Sequence, residues 1–279
     1  MIDSADSEGF DTHIGPKHGL NAIDPRELIR YRELIHILIW RDIKVRYKQT
    51  VLGAAWAIFQ PFISMVVFSI FFGGLVKVPS DGFPYPVFVY AGLVPWTFFA
   101  NGLSGASSSL TGQSHLISKI YFPRIILPLA TFGARLVDFA ISIVILFVLM
   151  LYYSIIPTAQ IALFPVMILV TLITAMGVGT FLSALEVTYR DVNHITPFLI
   201  QLWMYATPVI YPVSIVPEKW RWILALNPMA GIIDGYRACL LGHPVNWAGL
   251  AISSAMALIL LAIGVVYFKR VERRFADVI

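Results

Sequence analysis

The sequence predicts an all-α integral membrane protein, with six transmembrane helices, an N-terminal amphipathic interface helix and a re-entrant helical hairpin before the last span. Three observations predict it. Of 279 residues, 58% are hydrophobic and only 13% are charged, and mean hydropathy is +0.78; a water-soluble domain carries roughly a quarter charged residues. The charges leave long gaps, and because a charge at mid-bilayer is costly, such gaps map the spans. Lys and Arg also fall mainly to one side of those gaps.

Taken in order, residues 1–22 are polar and acid-leaning, with no apolar core or cleavage site of a signal peptide, and predict a flexible cytosolic tail. Asp24-Pro25-Arg26-Glu27 has the spacing of a helix start. Leu28, Tyr31, Leu34, Ile35, Leu38 and Ile39 then recur at three- and four-residue intervals, opposite Arg26, Arg30, Arg32 and Glu33. That stripe predicts an amphipathic helix over 23–48 lying along the cytosolic interface, as an anchor or with an added partner-docking face.

The first uncharged run, 49–76, holds a span at about 54–76; the second, 82–118, holds one at 84–105. The third, 139–185, has 47 residues, too many for one helix of about 20, and Ile156-Pro157-Thr158-Ala159-Gln160 punctuates it. It reads as two spans, 125–156 and 161–185. Residues 195–213 and 247–268 supply the fifth and sixth. Between them, 222–233 is uncharged but only 12 residues long and is broken by Asn227-Pro228, which favours a re-entrant or interfacial hairpin over a surface loop.

Of the 20 Lys and Arg residues, Lys77, Lys219, Arg221 and Arg237 fall on one face and the remaining 16 on the other. The positive-inside rule then puts both termini in the cytosol. Net charge is +4 and pI about 9.2, but the basic residues flank apolar segments instead of forming a nucleic-acid-binding stripe. Arg135 and Asp138 are three apart on the helix leading into span three and are expected to pair as a structural salt bridge.

Catalytic and metal signatures are missing. Cys239 is the sole cysteine, the six histidines are scattered singly, and no phosphate-cradling G-x-x-x-x-G-K-[ST] occurs. The spans carry no acidic series to relay protons. Energy is therefore expected to enter through a partner. The serine-rich stretch Ala106–Tyr121 is a candidate contact for a cytosolic subunit, and Glu186, Tyr189, Arg190 and Asp191 form a second docking corner. Most aromatics in the spans are accounted for by lipid-facing and interfacial placement. The alternative for some of them is to line a path for a polar polymer, since an aromatic ring offers a flat apolar face to the C–H side of a sugar; for any single aromatic the ordinary placement is favoured.

Six motifs occur in order: Arg41–Gly53 (RDIKVRYKQTVLG) with Trp56 and Pro61; Tyr85-Pro86 and Ala91–Trp96; Lys119–Arg124; Tyr189–Val192; Pro208–Pro212; and Asn227-Pro228-Met229. From about Arg30 onward the chain resembles the type-2 ABC exporter permeases for polysaccharides, above all the O-antigen, capsule and teichoic acid exporters. One departure is Glu186, where the family pattern has an asparagine.

The resemblance implies a homodimer in the bacterial inner membrane, working with two copies of a cytosolic ATPase on a lipid-linked polysaccharide. Membrane lipid is the other contact and nucleic acid is not one. No cofactor is bound by this chain; ATP and Mg act through the ATPase. Spans one and five are implied to line the channel, making Trp56, Phe59, Trp96, Trp203, Tyr205 and Tyr211 its candidate residues. Arg41, Asp42, Ser114, Lys119, Arg190 and Asp191 are the candidates for coupling to the ATPase. Pro217, Trp220, Trp222, Asn227 and Pro228 belong to a 214–241 hairpin gating the outer mouth. A type-2 exporter of a smaller lipid or drug is the alternative. An integral-membrane glycosyltransferase or acyltransferase would need a catalytic Asp, Glu or His at a span end, and only Asp138 comes close.

Overall fold

The structure, a computed structural model, describes residues 25–48, 55–272 and 275. The tail at 1–22 lies outside the described residues. Among those described, every regular element is helical, as the absence of internal charge and the apolar runs demand of backbone placed in hydrocarbon.

The stripe at the N-terminus forms α1 (Pro25–Arg30) and α2 (Arg32–Lys48), separated by a turn at Tyr31. Its apolar residues meet protein: Leu38 is buried, and Leu28, Tyr31, Leu34, Ile35 and Ile39 pack on a cluster that includes Leu110, Phe122, Ile125, Leu127 and Phe268. The first span is α3 (Ala55–Phe68), which contains Pro61 and widens into a π-helix over Ser69–Leu75. There the Val76 N–H bonds back five residues to the Phe71 carbonyl at 2.9 Å.

Then α4 (Tyr85–Ser107) runs through the middle, and 78% of its most apolar stretch is buried within this chain, against 11% for the first span. A helix apolar on all sides suits that place. A 3₁₀ turn, Thr111–Gln113, leads into the short α5 (Ser114–Lys119). The long uncharged run does form a helical pair: α6 (Ile126–Tyr152) and α7 (Phe164–Thr188), with a turn at 153–158 and a 3₁₀ entry at Ala159–Leu163.

The fifth expected span is helical only to Ala206, as α8 (Val192–Ala206); the chain then turns irregularly through 207–212. Next come α9 (Glu218–Leu226) and α10 (Pro228–Leu241), joined at Asn227, whose side-chain oxygen caps α10 by accepting from Met229 N–H at 3.1 Å. Gly242, at φ +79°, ends α10 in the left-handed conformation. The last helix is α11 (Trp247–Val271). It packs closely along α7, where Gly177 and Gly264 bring the two backbones together: a Cβ on Gly177 would lie 2.6 Å from the Leu260 carbonyl carbon. Five of these helices are long and apolar enough to cross a membrane.

Candidate functional site

Two of the motifs converge on a single knot. Arg237, on α10, is 3% exposed, so it is not the surface charge that its position in the outer-face count implies. Its Nη1 donates to the Pro208 carbonyl at 2.8 Å and to Tyr211 O at 3.4 Å, and Nη2 donates to Val209 O at 2.6 Å. Nε reaches Phe88 O at 3.3 Å, and the guanidinium lies 3.7 Å from the centroid of the Phe88 ring. The remaining carbonyl of the turn, Ile210 O, accepts from the Tyr85 hydroxyl at 2.7 Å.

Four consecutive carbonyls with no helical partner are thus each met by a side-chain donor. Buried backbone must be satisfied in this way, above all where water is scarce. Gly92 makes the approach possible, since a Cβ there would sit 2.9 Å from both Arg237 Nη2 and Val209 O. Two motifs, Tyr85-Pro86 with Ala91–Trp96 and Pro208–Pro212, therefore meet directly through Tyr85 and are clamped together by Arg237, a residue in neither.

Beside this knot, Asn227 joins α8 to the hairpin. The Trp203 indole N–H donates to its Oδ1 at 2.9 Å, and its amide donates to Thr207 Oγ1 at 2.9 Å. Trp203 also stands edge-on to Phe99 with centroids 5.1 Å apart, and Phe99 lies 5.6 Å from Trp96. Trp96, at 4% exposure, is a core residue within this chain. Tyr205 is exposed, and Tyr211 is half-buried with its hydroxyl donating to Tyr205 O at 3.3 Å.

Phe59 sits on the exposed face of α3, while the side chain of Trp56 lies outside the described residues. In the hairpin, Pro217 precedes α9, whose Trp220 and Trp222 are exposed; Pro228 is buried at the start of α10. Across the same end, Asp81 accepts from Ser214 Oγ at 2.7 Å and lies 3.6 Å from His243 Nε2.

At the other end, the expected Arg135–Asp138 pair forms at 3.4 Å, and two more partners join it: Arg46 Nη1 and the Tyr47 hydroxyl, both from α2, bond to the same carboxylate. Burial, reinforced by this bond to Asp138, pushes the Tyr47 phenol up to about 12. Arg41 turns to its neighbour, Nε and Nη2 donating to Asp42 Oδ1 at 3.0 and 2.8 Å.

Ser114 opens α5 and Lys119 closes it, exposed; Arg190 and Asp191 are exposed in the turn between α7 and α8. Glu186 differs from its neighbours in the expected docking corner. It points inward at 2% exposure, accepting from Ser107 Oγ at 2.6 Å and Thr111 Oγ1 at 2.8 Å.

Arg237 and Glu186 went unrecognised in the sequence as structural centres. One signal was available for the first: Asp234 and Arg237 are the only Asp, Glu, Lys or Arg residues between Arg221 and Lys269.

The ABC-2 type transporter family model matches residues 33–241. The chain is 33% identical over 255 residues to the O-antigen export system permease protein RfbA of Myxococcus xanthus, covering 90% of this chain and 97% of that one. A protein of the same name in Klebsiella pneumoniae is 27% identical over 248 residues, or 88% and 95% of the two chains. The polysialic acid transport protein KpsM of Escherichia coli is 22% identical over 247 residues, or 85% and 93%. With three-quarters of its length under the family model and its helices long and apolar enough to cross a membrane, the chain belongs to the ABC-2 type transporter family, as a transmembrane permease subunit.

Proposed function

We propose that this permease exports a lipid-linked polysaccharide of O-antigen type across the bacterial inner membrane, as a homodimer driven by two copies of a cytosolic ATPase. The observation that carries the reading is the match over nine-tenths of the chain to a protein named for O-antigen export. ATP and Mg would bind the ATPase, and this chain would bind neither. Both termini would be cytosolic, following the 16-to-4 division of Lys and Arg.

The fifth span in this reading, additional to the five helices long enough to cross, is α8 with the turn after it. Fifteen helical residues extend about 22 Å, short of a hydrocarbon core of about 30 Å. Residues 207–212 would make up the difference, and their carbonyls are already supplied with donors. The α9–α10 hairpin would re-enter from the outer side and gate the mouth.

A sugar polymer cannot cross hydrocarbon, because its hydroxyls would lose water without replacement. Among the described residues, Phe62 on α3, Phe71 in the π-helix that continues it, and Phe198 and Tyr205 on α8 are exposed. Facing their copies in a dimer, they would enclose a path of aromatic rings, which hold sugars without fixing them. Of the candidate channel residues, Trp96 would then support the wall from behind through Phe99.

The test is reconstitution. With its ATPase subunit in vesicles, the chain should move lipid-linked polysaccharide in an ATP-dependent manner, and alone it should neither hydrolyse ATP nor transport. Nucleotide hydrolysis by the isolated chain, or a complex that hydrolyses ATP but moves no polysaccharide, would overturn the reading.

A further inference from the structure

Glu186 is a carboxylate buried among neutral partners. Its two oxygens accept only from the Ser107 and Thr111 hydroxyls, and among the described residues no cation pairs with it. Desolvating such a group is costly, and an aliphatic side chain would fill the space without that cost. What it contributes is therefore the two bonds.

Their geometry is specific. Ser107 is the last residue of α4, and Thr111 begins the 3₁₀ turn that delivers the chain to α5 three residues later. Glu186 itself lies in the last turn of α7, which ends at Thr188, four residues before Arg190 in the turn that follows. The connection is held from within as well: Leu110 is fully buried and Ser109 Oγ donates to Ala106 O at 2.7 Å. Outward, His115, Ser118 and Lys119 on one segment and Tyr189, Arg190 and Asp191 on the other are all exposed.

We infer that Glu186 is a positioning residue that locks α5 and the Arg190–Asp191 turn into one rigid surface, so that the ATPase subunit meets a single two-point platform instead of two independent contacts. The partner's identity rests on the proposed function; the lock does not.

Two measurements separate these. In the permease alone, in nanodiscs, Glu186→Ala should speed hydrogen exchange of amides 108–119 about tenfold and Thr111→Val about threefold, as expected for lost side-chain bonds, leaving α6 unchanged. Glu186→Gln keeps an accepting oxygen and should stay near wild type. Unchanged exchange in both Glu186→Ala and Thr111→Val overturns the lock.

With the ATPase subunit added, the affinity losses from Lys119→Ala and Arg190→Ala should be non-additive in the wild-type background. They should become additive to within about twofold once Glu186→Ala is present. Non-additivity that survives Glu186→Ala overturns the platform, whereas a role in folding alone would change yield and leave this relation intact. Should Glu186→Ala fail to fold, Thr111→Val carries both arms. If no ATP-hydrolysing subunit binds the wild type, the proposed function fails, and the exchange arm still decides the lock.

Discussion

The indole N–H of Trp203 donates to the side-chain oxygen of Asn227 at 2.9 Å, fastening the last turn of α8 to the bend between α9 and α10. A side chain at the expected channel and one at the expected gate are thus a single mechanical unit. Trp203→Phe should keep the ring against Phe99 and lose the bond, costing about 1 kcal/mol. Trp203→Ala should cost about 3 kcal/mol and slow polymer export severalfold, while assembly with the ATPase persists. Thermal unfolding and vesicle transport check the two effects; full export by Trp203→Ala would return the residue to a packing role.

Arg237 holds the carbonyls of Pro208, Val209 and Tyr211. Arg237→Met should lower stability by about 3 kcal/mol, because three carbonyls lose donors in a site closed to water. Arg237→Lys should recover little, since one ammonium cannot span the fork of acceptors. Protease cleavage within 207–217 should increase in both.

Gly92 predicts a steric counterpart. Gly92→Ala adds a methyl 2.9 Å from two polar atoms and should push α4 from the turn, at about 1–3 kcal/mol. Combined with Arg237→Met the losses should be far from additive, because both act on the same contact.

Asp138 holds α2 to α6. Asp138→Asn removes the carboxylate that Arg46 and Tyr47 of α2 share with Arg135 of α6, so α2 should detach first. The pair is partly solvent-exposed, which limits the expected cost to about 1–3 kcal/mol. Trypsin cleavage at Arg41–Lys48 should accelerate well before the spans unfold.

At the turn between α7 and α8, Arg190→Ala with Asp191→Ala should leave folding unchanged, because both are exposed and outside any described ion pair. ATP hydrolysis in the complex should then continue with little export. Normal export per ATP hydrolysed would remove the turn from coupling.

Much of this architecture was legible from charge spacing alone. The run from Phe139 to Leu185 broke where Pro157 broke it, and the Leu28–Ile39 stripe packs along its full length. What was hidden depends on distant pairing. Glu186 finds Ser107 across 79 residues, Arg46 finds Asp138 across 92, and Arg237 finds Phe88 across 149. Periodicity reports which side of a helix is apolar and says nothing of which partner it meets. The early end of α8 was signalled by Pro208, yet hydropathy continued past it, so the span read as longer than the helix. The inward turn of Glu186 had no local signal, since a charge beside Arg190 at a helix end is ordinarily solvated.

Because α4 is enclosed by its neighbours, any tilt of it would tear contacts on every flank at once. A transport cycle of the proposed kind would keep α4 as a stator and leave displacement to α3 and α8, which expose more of their surface among the described residues. In the proposed dimer, export would proceed by two loose staves sliding past a fixed post in each half, with bulk rotation of the bundle disfavoured.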